Sequence, residues 1–448
     1  MKRTSIHFQP PLDFIPPNLQ DGLVKFAGGF IPAILKHKLG IVEVETSGVE
    51  RLVELYRDFQ QGKTRFMIAF RHPGVDDPVS LYYLLSQSVP KAARKIGVSL
   101  ASPTHAYFLY DRGVPLWAGG AVSWMLPRAG GISLQRGKLD RQSLKTARDK
   151  FANGNQPMMV APEGATNGLS ELVSPLEPGV VQMAFWCMED LKTANRSEKV
   201  CIVPLGVKYS YIVPPWKGVD DLLSLLETEC GIVAGAQKER YERLTSIGEN
   251  LLEQLEGHYS RFHRQEVVRE VSNIGERLRN LLENALHTSE EFFGLQPKGS
   301  QADRCRRIEQ AGWDRIYRED LKGQTLSPVQ RGLADRVAEE SDNRMWHMRI
   351  VESFVAVTGS YVREKPTADR FAETAGLLYK TAQRLKGIDL ISSPSLGKRK
   401  VKLTIGEPIL VDSLFPAYQE SRQIARKTVG DLTKSLQNTL EGMAAGED

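Results

Sequence analysis

Residues 71–78 read Arg-His-Pro-Gly-Val-Asp-Asp-Pro, which puts an imidazole, His72, and a carboxylate, Asp77, into one short turn. A histidine can take the proton of a hydroxyl, and an aspartate can hold its ring in the required tautomer, so the pair is a candidate general base with its orienting partner. The spacing constrains how they meet. Five apart on a regular helix, the two side chains would point to different sides, so contact needs a loop, which Pro73 and Gly74 supply. The apolar run 65–70 predicts a strand that ends at His72. Asp77-Pro78 then reads as an N-cap followed by proline at the first position of a helix that opens with Val79. A helix N-terminus disfavours imidazolium beside it and so keeps the ring able to accept a proton. The same residues also fit a simpler pattern, a capping aspartate next to a surface histidine.

Two more strand-like pieces end in polar residues further along the chain, and a third carries a proline. Gly130-Gly131-Ile132-Ser133-Leu134-Gln135 runs into Arg136, whose planar fork suits a phosphate, an exposed surface arginine being its other reading. Met158-Met159-Val160-Ala161 runs into Pro162-Glu163-Gly164, and Val203-Pro204-Leu205-Gly206-Val207 follows. Strand ends carrying His/Asp, Arg, Glu/Gly and Pro in this order resemble the four blocks of the glycerolipid acyltransferase superfamily, that of the 1-acylglycerol-3-phosphate and lysophospholipid acyltransferases. The resemblance covers residues 20 to 215 and resumes at 401–409, which is similar to the closing strand of the same domain.

The resemblance implies an α/β fold, a mixed sheet flanked by helices, and the helical periodicity between its fourth block and closing strand adds a mainly helical insertion. It also implies transfer of a fatty acyl group from acyl-CoA or an acyl carrier protein to the hydroxyl of lysophosphatidate or another lysophospholipid. Such a transfer needs a base for the hydroxyl proton, donors for the developing oxyanion and a cradle for the acceptor's anionic head. His72 is then the base and Asp77 its orienter. Arg136, Glu163, Gly164 and Thr166 would serve the acceptor and Pro204 the wall of the acyl channel, with no metal and no cofactor beyond the thioester co-substrate. Glu163 would repel a phosphate, so it is expected to receive an acceptor hydroxyl or fix Arg136, or else to cap a helix beginning near Ala165. The family's common third block, Pro-Glu-Gly-Thr-Arg-Ser, is replaced here by Pro-Glu-Gly-Ala-Thr-Asn-Gly, so one arginine is missing and the acceptor is open between a phosphomonoester and a larger head group. Arg71 stands where the family often has asparagine. The alternative from another class is a catalytically silent relative whose helical insertion binds a protein or lipid, and the retention of all four blocks argues against it.

The elements that must position these residues fit in 448 residues, enough for two cores. Hydrophobic residues at 41%, charged residues at 25% and a net charge of +5 are those of a folded chain with a mild basic bias. Cys187, Cys201, Cys230 and Cys305 form no close pair, which points to a reducing compartment rather than a disulfide framework. Residues 1–17 are polar and proline-rich, unlike a cleavable signal. The longest apolar stretches, 26–35 and 114–126, are too short to span a bilayer, so a cytoplasmic protein peripheral to a membrane surface is expected. Leu23, Phe26, Phe30, Ile31, Ile34 and Leu35 are interleaved with Lys25, Lys36, His37 and Lys38, a pattern for lying in an interface or docking on the chain's own core. Residues 114–126, with Trp117, Gly119, Gly120 and Trp124, read as core or as lining of an acyl channel.

Four segments result: an amphipathic segment and first strand over 1–60, an acyltransferase-like core over 61–216, a helical insertion over 217–395, and a closing strand and helix over 396–448. Within the insertion, Tyr241, Leu244, Ile247, Leu251 and Leu255 share a helical face, as do Val267, Val271, Ile274, Leu278, Leu281 and Ala285, with a break near 257–263. Trp346, Ile350, Phe354, Val357 and Tyr361 mark another face. The basic run Arg304-Cys305-Arg306-Arg307 lacks interleaved aromatics, so no nucleic-acid partner is expected.

Overall fold

Seven consecutive buried residues, Thr64–Phe70, form the strand to which the candidate dyad is attached. A strand buried on both faces reads as a continuous apolar run, and this one has helices on either side. In the computed structural model, which describes residues 6–135, 140–232, 239–263, 273–354, 360–388 and 392–446, this strand is the second of eight. In chain order they are β1 (Ile41–Ser47), β2 (Thr64–Phe70), β3 (Tyr107–Asp111), β4 (Gly131–Leu134), β5 (Met158–Val160), β6 (Lys199–Tyr211), β7 (Arg399–Ile405) and β8 (Ile409–Leu410). Their spatial order is β1-β7-β6-β2-β5-β3-β4, with β8 beside β6. The run from β6 to β4 is parallel, as is β1 with β7, whereas β7 and β8 lie antiparallel to β6.

Alternation along the strands divides the core in two. Phe66, Ile68 and Phe70 of β2, with Val203, Leu205, Val207 and Tyr209 of β6, face the helices Val49–Gln60 and Asp77–Tyr83. Met67 and Ala69, with Val200 and Ile202, face the helices Arg141–Asn153, Gly179–Thr193 and Arg422–Ala445. The fold is therefore α/β, a mixed and mostly parallel sheet flanked by helices, the class read from the sequence.

The chain divides into two compact units. The sheet unit holds Phe14–Gln135, Asp140–Ile212 and Lys398–Asp448, and the other unit holds Met1–Asp13 and Val213–Gly397. The second is helical, built on Trp216–Glu229, Arg240–His263, Ile274–Phe293, Gln301–Ile316, Pro328–Phe354 and Ala368–Leu385. Leu252, Leu255, Tyr259, Ala285, Leu286 and Ile308 meet Met345, Met348 and Val351 in its core. Leu244, Ile247, Leu251 and Leu255 are buried as one face, while Tyr241 is exposed. The expected break at 257–263 is absent: the helix runs on through Gly257 to His263. A glycine costs a helix interior about 1 kcal/mol, and burial of Leu255 and Tyr259 on either side outweighs that. Val267, Val271 and Val357 lie outside the described residues. Arg304 of the basic run is buried and paired, through two 2.8 Å bonds to Glu290 and a further one to Glu283.

Two apolar stretches of the sheet unit differ from a simple core. Residues 114–126 belong to two short helices, Val114–Ala118 and Gly120–Arg128, which leave Leu116, Trp124 and Met125 exposed. Gly119, at φ 88°, breaks the run between them. The helix Asp21–Gly28 is half docked. It buries Val24 and Gly28 against the segment after the dyad, where the Tyr82 hydroxyl donates to the Val24 carbonyl and Gln87 to that of Gly28, yet Phe26 stays 68% exposed with Phe30 beside it. Among the described residues, no helix is long and apolar enough to cross a membrane.

Candidate active site

β2 ends at Phe70, and the next turn folds His72 back against Asp77, Nδ1 to Oδ2 at 2.7 Å. A carboxylate can only accept, so Nδ1 carries the proton and Nε2 is the basic nitrogen. Nε2 has no partner among the described residues, and 21% of the side chain is open to solvent. Asp77, in contrast, is wholly buried. Helical structure begins at Asp77 itself, with Asp76 in the capping position and no side-chain cap. Hence Asp77 does not cap the helix: Oδ2 takes the His72 ring and the Gly74 backbone N–H at 3.0 Å, and Oδ1 takes the Tyr209 hydroxyl at 2.7 Å. The neighbouring Asp76 is neutralised by Arg399 of β7, Nη2 to Oδ2 at 2.6 Å.

Glu163 enters from the end of β5. It is buried, and its oxygens are taken by main-chain donors: Oε1 by the His72 N–H at 2.7 Å and Oε2 by the Ser174 N–H at 2.7 Å, with Asn167 Nδ2 at 3.5 Å. The helix expected near Ala165 does not form. The next begins at Gly179, because Asn167 turns the loop on itself, accepting from Leu169 N–H and donating to the Leu172 carbonyl. Two more bonds tie this loop to the His72 turn, Gly168 N–H to the Pro73 carbonyl at 3.0 Å and Arg71 Nη2 to the Leu169 carbonyl at 2.7 Å. Arg71 is fully buried, and its Nε and Nη1 have no hydrogen-bond partner among the described residues. Its role in this structure is to hold the Glu163 loop against the end of β2.

The other residues named from the sequence fare differently. Gly164 takes φ 71°, a backbone region that favours glycine, and a side chain there would strike the Glu177 carboxylate. Thr166 is half-buried in the same loop, with no side-chain partner among the described residues. Arg136 lies outside the described residues. Pro204 is not brought to the dyad. It alternates with Val203 and Leu205 and so lies on the opposite sheet face, where its carbonyl accepts from Gly406 N–H at 2.9 Å. Arg112, at the end of β3, is already bound to Asp140 and to Ser143 Oγ at 3.0 Å.

Sequence reasoning missed Tyr209, Ser80 and Arg399. Tyr209 occupies the row Val203, Leu205, Val207, Tyr209 that faces the core. A tyrosine on such a row needs a partner for its hydroxyl, which is the signal that was available. Burial and the nearby Asp77 charge push its phenol well above the usual value, so it stays a donor. Together these groups present a partly accessible imidazole nitrogen, with a buried carboxylate behind its ring and a second buried carboxylate clamping its backbone, an arrangement chemically able to take up a proton. No protein-family model matches this chain, and no curated protein matches it.

Proposed function

We propose that the protein is an O-acyltransferase that moves a fatty acyl group from acyl-CoA or an acyl carrier protein to the hydroxyl of a lysophospholipid at a membrane surface. The observation that carries this reading is the His72–Asp77 pair, with Nδ1 held at 2.7 Å by a buried carboxylate and Nε2 without a partner among the described residues. The pair lies at the strand end that the four-block resemblance assigns to catalysis. His72 Nε2 removes the acceptor's proton as its oxygen attacks the thioester carbonyl, and the tetrahedral intermediate collapses with loss of the thiolate. The thiolate leaves with the proton now on Nε2, so charge and protons balance. Asp77 stabilises the transient imidazolium, as in a triad whose nucleophile is supplied by the substrate. Gly164 and Thr166 would border the acceptor, and Arg136 would meet its phosphate, while Glu163 holds the His72 backbone through its main-chain partners.

Membrane contact is supported by exposed Phe26, Phe30, Leu116, Trp124 and Met125. Two of the segments that carry them are tied together: the N–H groups of Asn18 and Gln20, just before the Asp21–Gly28 helix, donate to the carbonyls of Pro127 and Arg128. The test is mass spectrometry of products from purified protein given a panel of lyso-acceptors and mixed acyl-CoAs. Acylated product is expected from the wild type, with His72→Ala slower by roughly two to four orders of magnitude. Product formation at equal rate in the folded variant removes His72 from the chemistry.

A further inference from the structure

Asp77 has no access to water, so its two oxygens depend on the donors that the fold supplies. Among the described residues, Oδ2 has two, the His72 ring and the Gly74 N–H, whereas Oδ1 has one, the Tyr209 hydroxyl at 2.7 Å. Tyr209 spends its only proton there, so Ser80 Oγ, 3.1 Å away, is the donor in their mutual bond. The phenol is held from both sides. Below the hydroxyl the ring is buried in the core, and Arg399 stacks over it with Cζ 5.4 Å from the centroid. Its reach comes from topology. β2 pairs with β6 as far as Leu205, and β6 then continues past the end of β2 to Tyr211, held by antiparallel β7 in the register Tyr209 opposite Val401. That overhang carries the phenol to the turn in which Asp77 sits.

We propose that Tyr209 is a positioning residue of the base: its hydroxyl fixes the Asp77 carboxylate through Oδ1 and thereby sets the orientation and proton affinity of His72. The proposal deepens the acyl-transfer reading and rests on it for its consequence in turnover. Hydrogen bonds to a carboxylate spread its charge. Without the Tyr209 donor, the buried Asp77 charge is answered more fully by the ring, imidazolium is favoured and His72 becomes a base that is protonated to higher pH. The freed carboxylate also holds the ring less firmly, which slows turnover rather than weakening acceptor binding, since no part of Tyr209 is assigned to the acceptor.

Tyr209→Phe keeps the ring and removes the donor. The test compares wild type and Y209F by NMR titration of the His72 imidazole and by steady-state transfer from acyl-CoA to a short-chain lysophosphatidylcholine across pH. The midpoint for His72 is expected to rise by about half a pH unit or more, with kcat about ten-fold lower, KM for the acceptor unchanged and the acid limb of the rate profile moved to higher pH. A midpoint and a kcat both unchanged in folded Y209F overturn the proposal, whatever the wild type's activity. A shifted midpoint in a protein that transfers no acyl group upholds the coupling and removes the transfer reading. If Y209F fails to fold, Ser80→Ala takes its place, and a smaller upward shift is expected because the Tyr209 hydroxyl loses its own donor. An unmoved midpoint in that variant overturns the proposal as well.

Discussion

Asp77 and Glu163 are two buried carboxylates in adjoining loops, and their partners separate their roles. Asp77 receives a ring that could act on a substrate, whereas Glu163 is spent on main-chain N–H groups of His72 and Ser174. A glutamine at 163 has one oxygen in place of two, and its amide nitrogen would face a donor. Glu163→Gln should therefore destabilise the sheet unit by about 1–3 kcal/mol, seen as a lower urea midpoint, and lower kcat because the His72 backbone loses its clamp. A variant of wild-type stability that loses only acceptor affinity would return Glu163 to the acceptor, as the sequence alone suggested. Asp77→Asn should keep the fold and lose turnover by a factor of about 10² or more, since the amide bonds to the ring without stabilising imidazolium. A rate equal to wild type would leave Asp77 a purely structural role. His72 and Asp77 were legible because a Pro-Gly turn between an apolar run and a helix start leaves few geometries for the pair. Tyr209 was not, since it lies 132 residues away from Asp77 and meets it only through sheet register.

Strands gave themselves away where both faces are buried, as in β2 and β5, because continuous apolar runs bounded by turn residues have few other readings. The short β3 and the full length of β6 escaped, since their ends are set by pairing with neighbours distant in sequence rather than by local composition. The apolar stretches at 26–35 and 114–126 were legible as unusual but not as to which face was covered. The covering is partial: Val24, Ile31 and Leu35 are buried, while Phe26 and Trp124 are 68% and 53% exposed. Lys25 and Arg128 flank them, and Arg128 stacks on Trp124. Aromatic and basic residues placed this way suit a bilayer interface. Replacing Phe26 and Trp124 together by serine should lower partitioning onto anionic vesicles by about one to two orders of magnitude, the size expected for two aromatic side chains partly withdrawn from water. Turnover of a soluble short-chain acceptor should stay within two-fold. Unchanged vesicle binding in a sedimentation assay would mean that these side chains face something other than lipid.

At the scale of the whole chain, acid tests the helical unit and excision tests the sheet unit. In the helical unit, His347 is buried and bonded through Nδ1 to the Tyr259 hydroxyl at 2.8 Å. Burial first, and then the nearby His263 and Arg344, push its imidazole down to about 3. Because the unfolded chain titrates near 6.5, it binds the extra proton between those values, so stability is complete above about pH 6.5 and is lost as pH falls toward 3. At pH 5 the loss reaches at most roughly 2 kcal/mol, and His347→Gln, which keeps a polar partner for Tyr259 without titrating, should show less of it in urea unfolding at pH 7.5 and 5.0. An identical pH dependence in the variant would assign the loss to other groups. Excision addresses the sheet unit. The helical segment Val213–Gly397 leaves and re-enters between two paired strands, with Tyr211 opposite Arg399 and the Ile212 N–H bonded to the Lys398 carbonyl at 3.0 Å. Strand ends that are already hydrogen-bonded need only a tight turn, so Asn-Gly in place of 213–397 closes β6 and β7 into a hairpin with little entropic cost. Such a chain starting at Phe14 should remain soluble, unfold in one transition and keep the His72–Asp77–Tyr209 bonds, because each of those residues is held by the sheet and its covering helices. The readout is the His72 imidazole signal, whose titration should match that of the full chain. Aggregation of the excised form, or an imidazole whose titration departs from that of the full chain, would mean that the sheet unit depends on the helices for its fold, and that the register carrying Tyr209 to Asp77 is not the property of β6 and β7 alone.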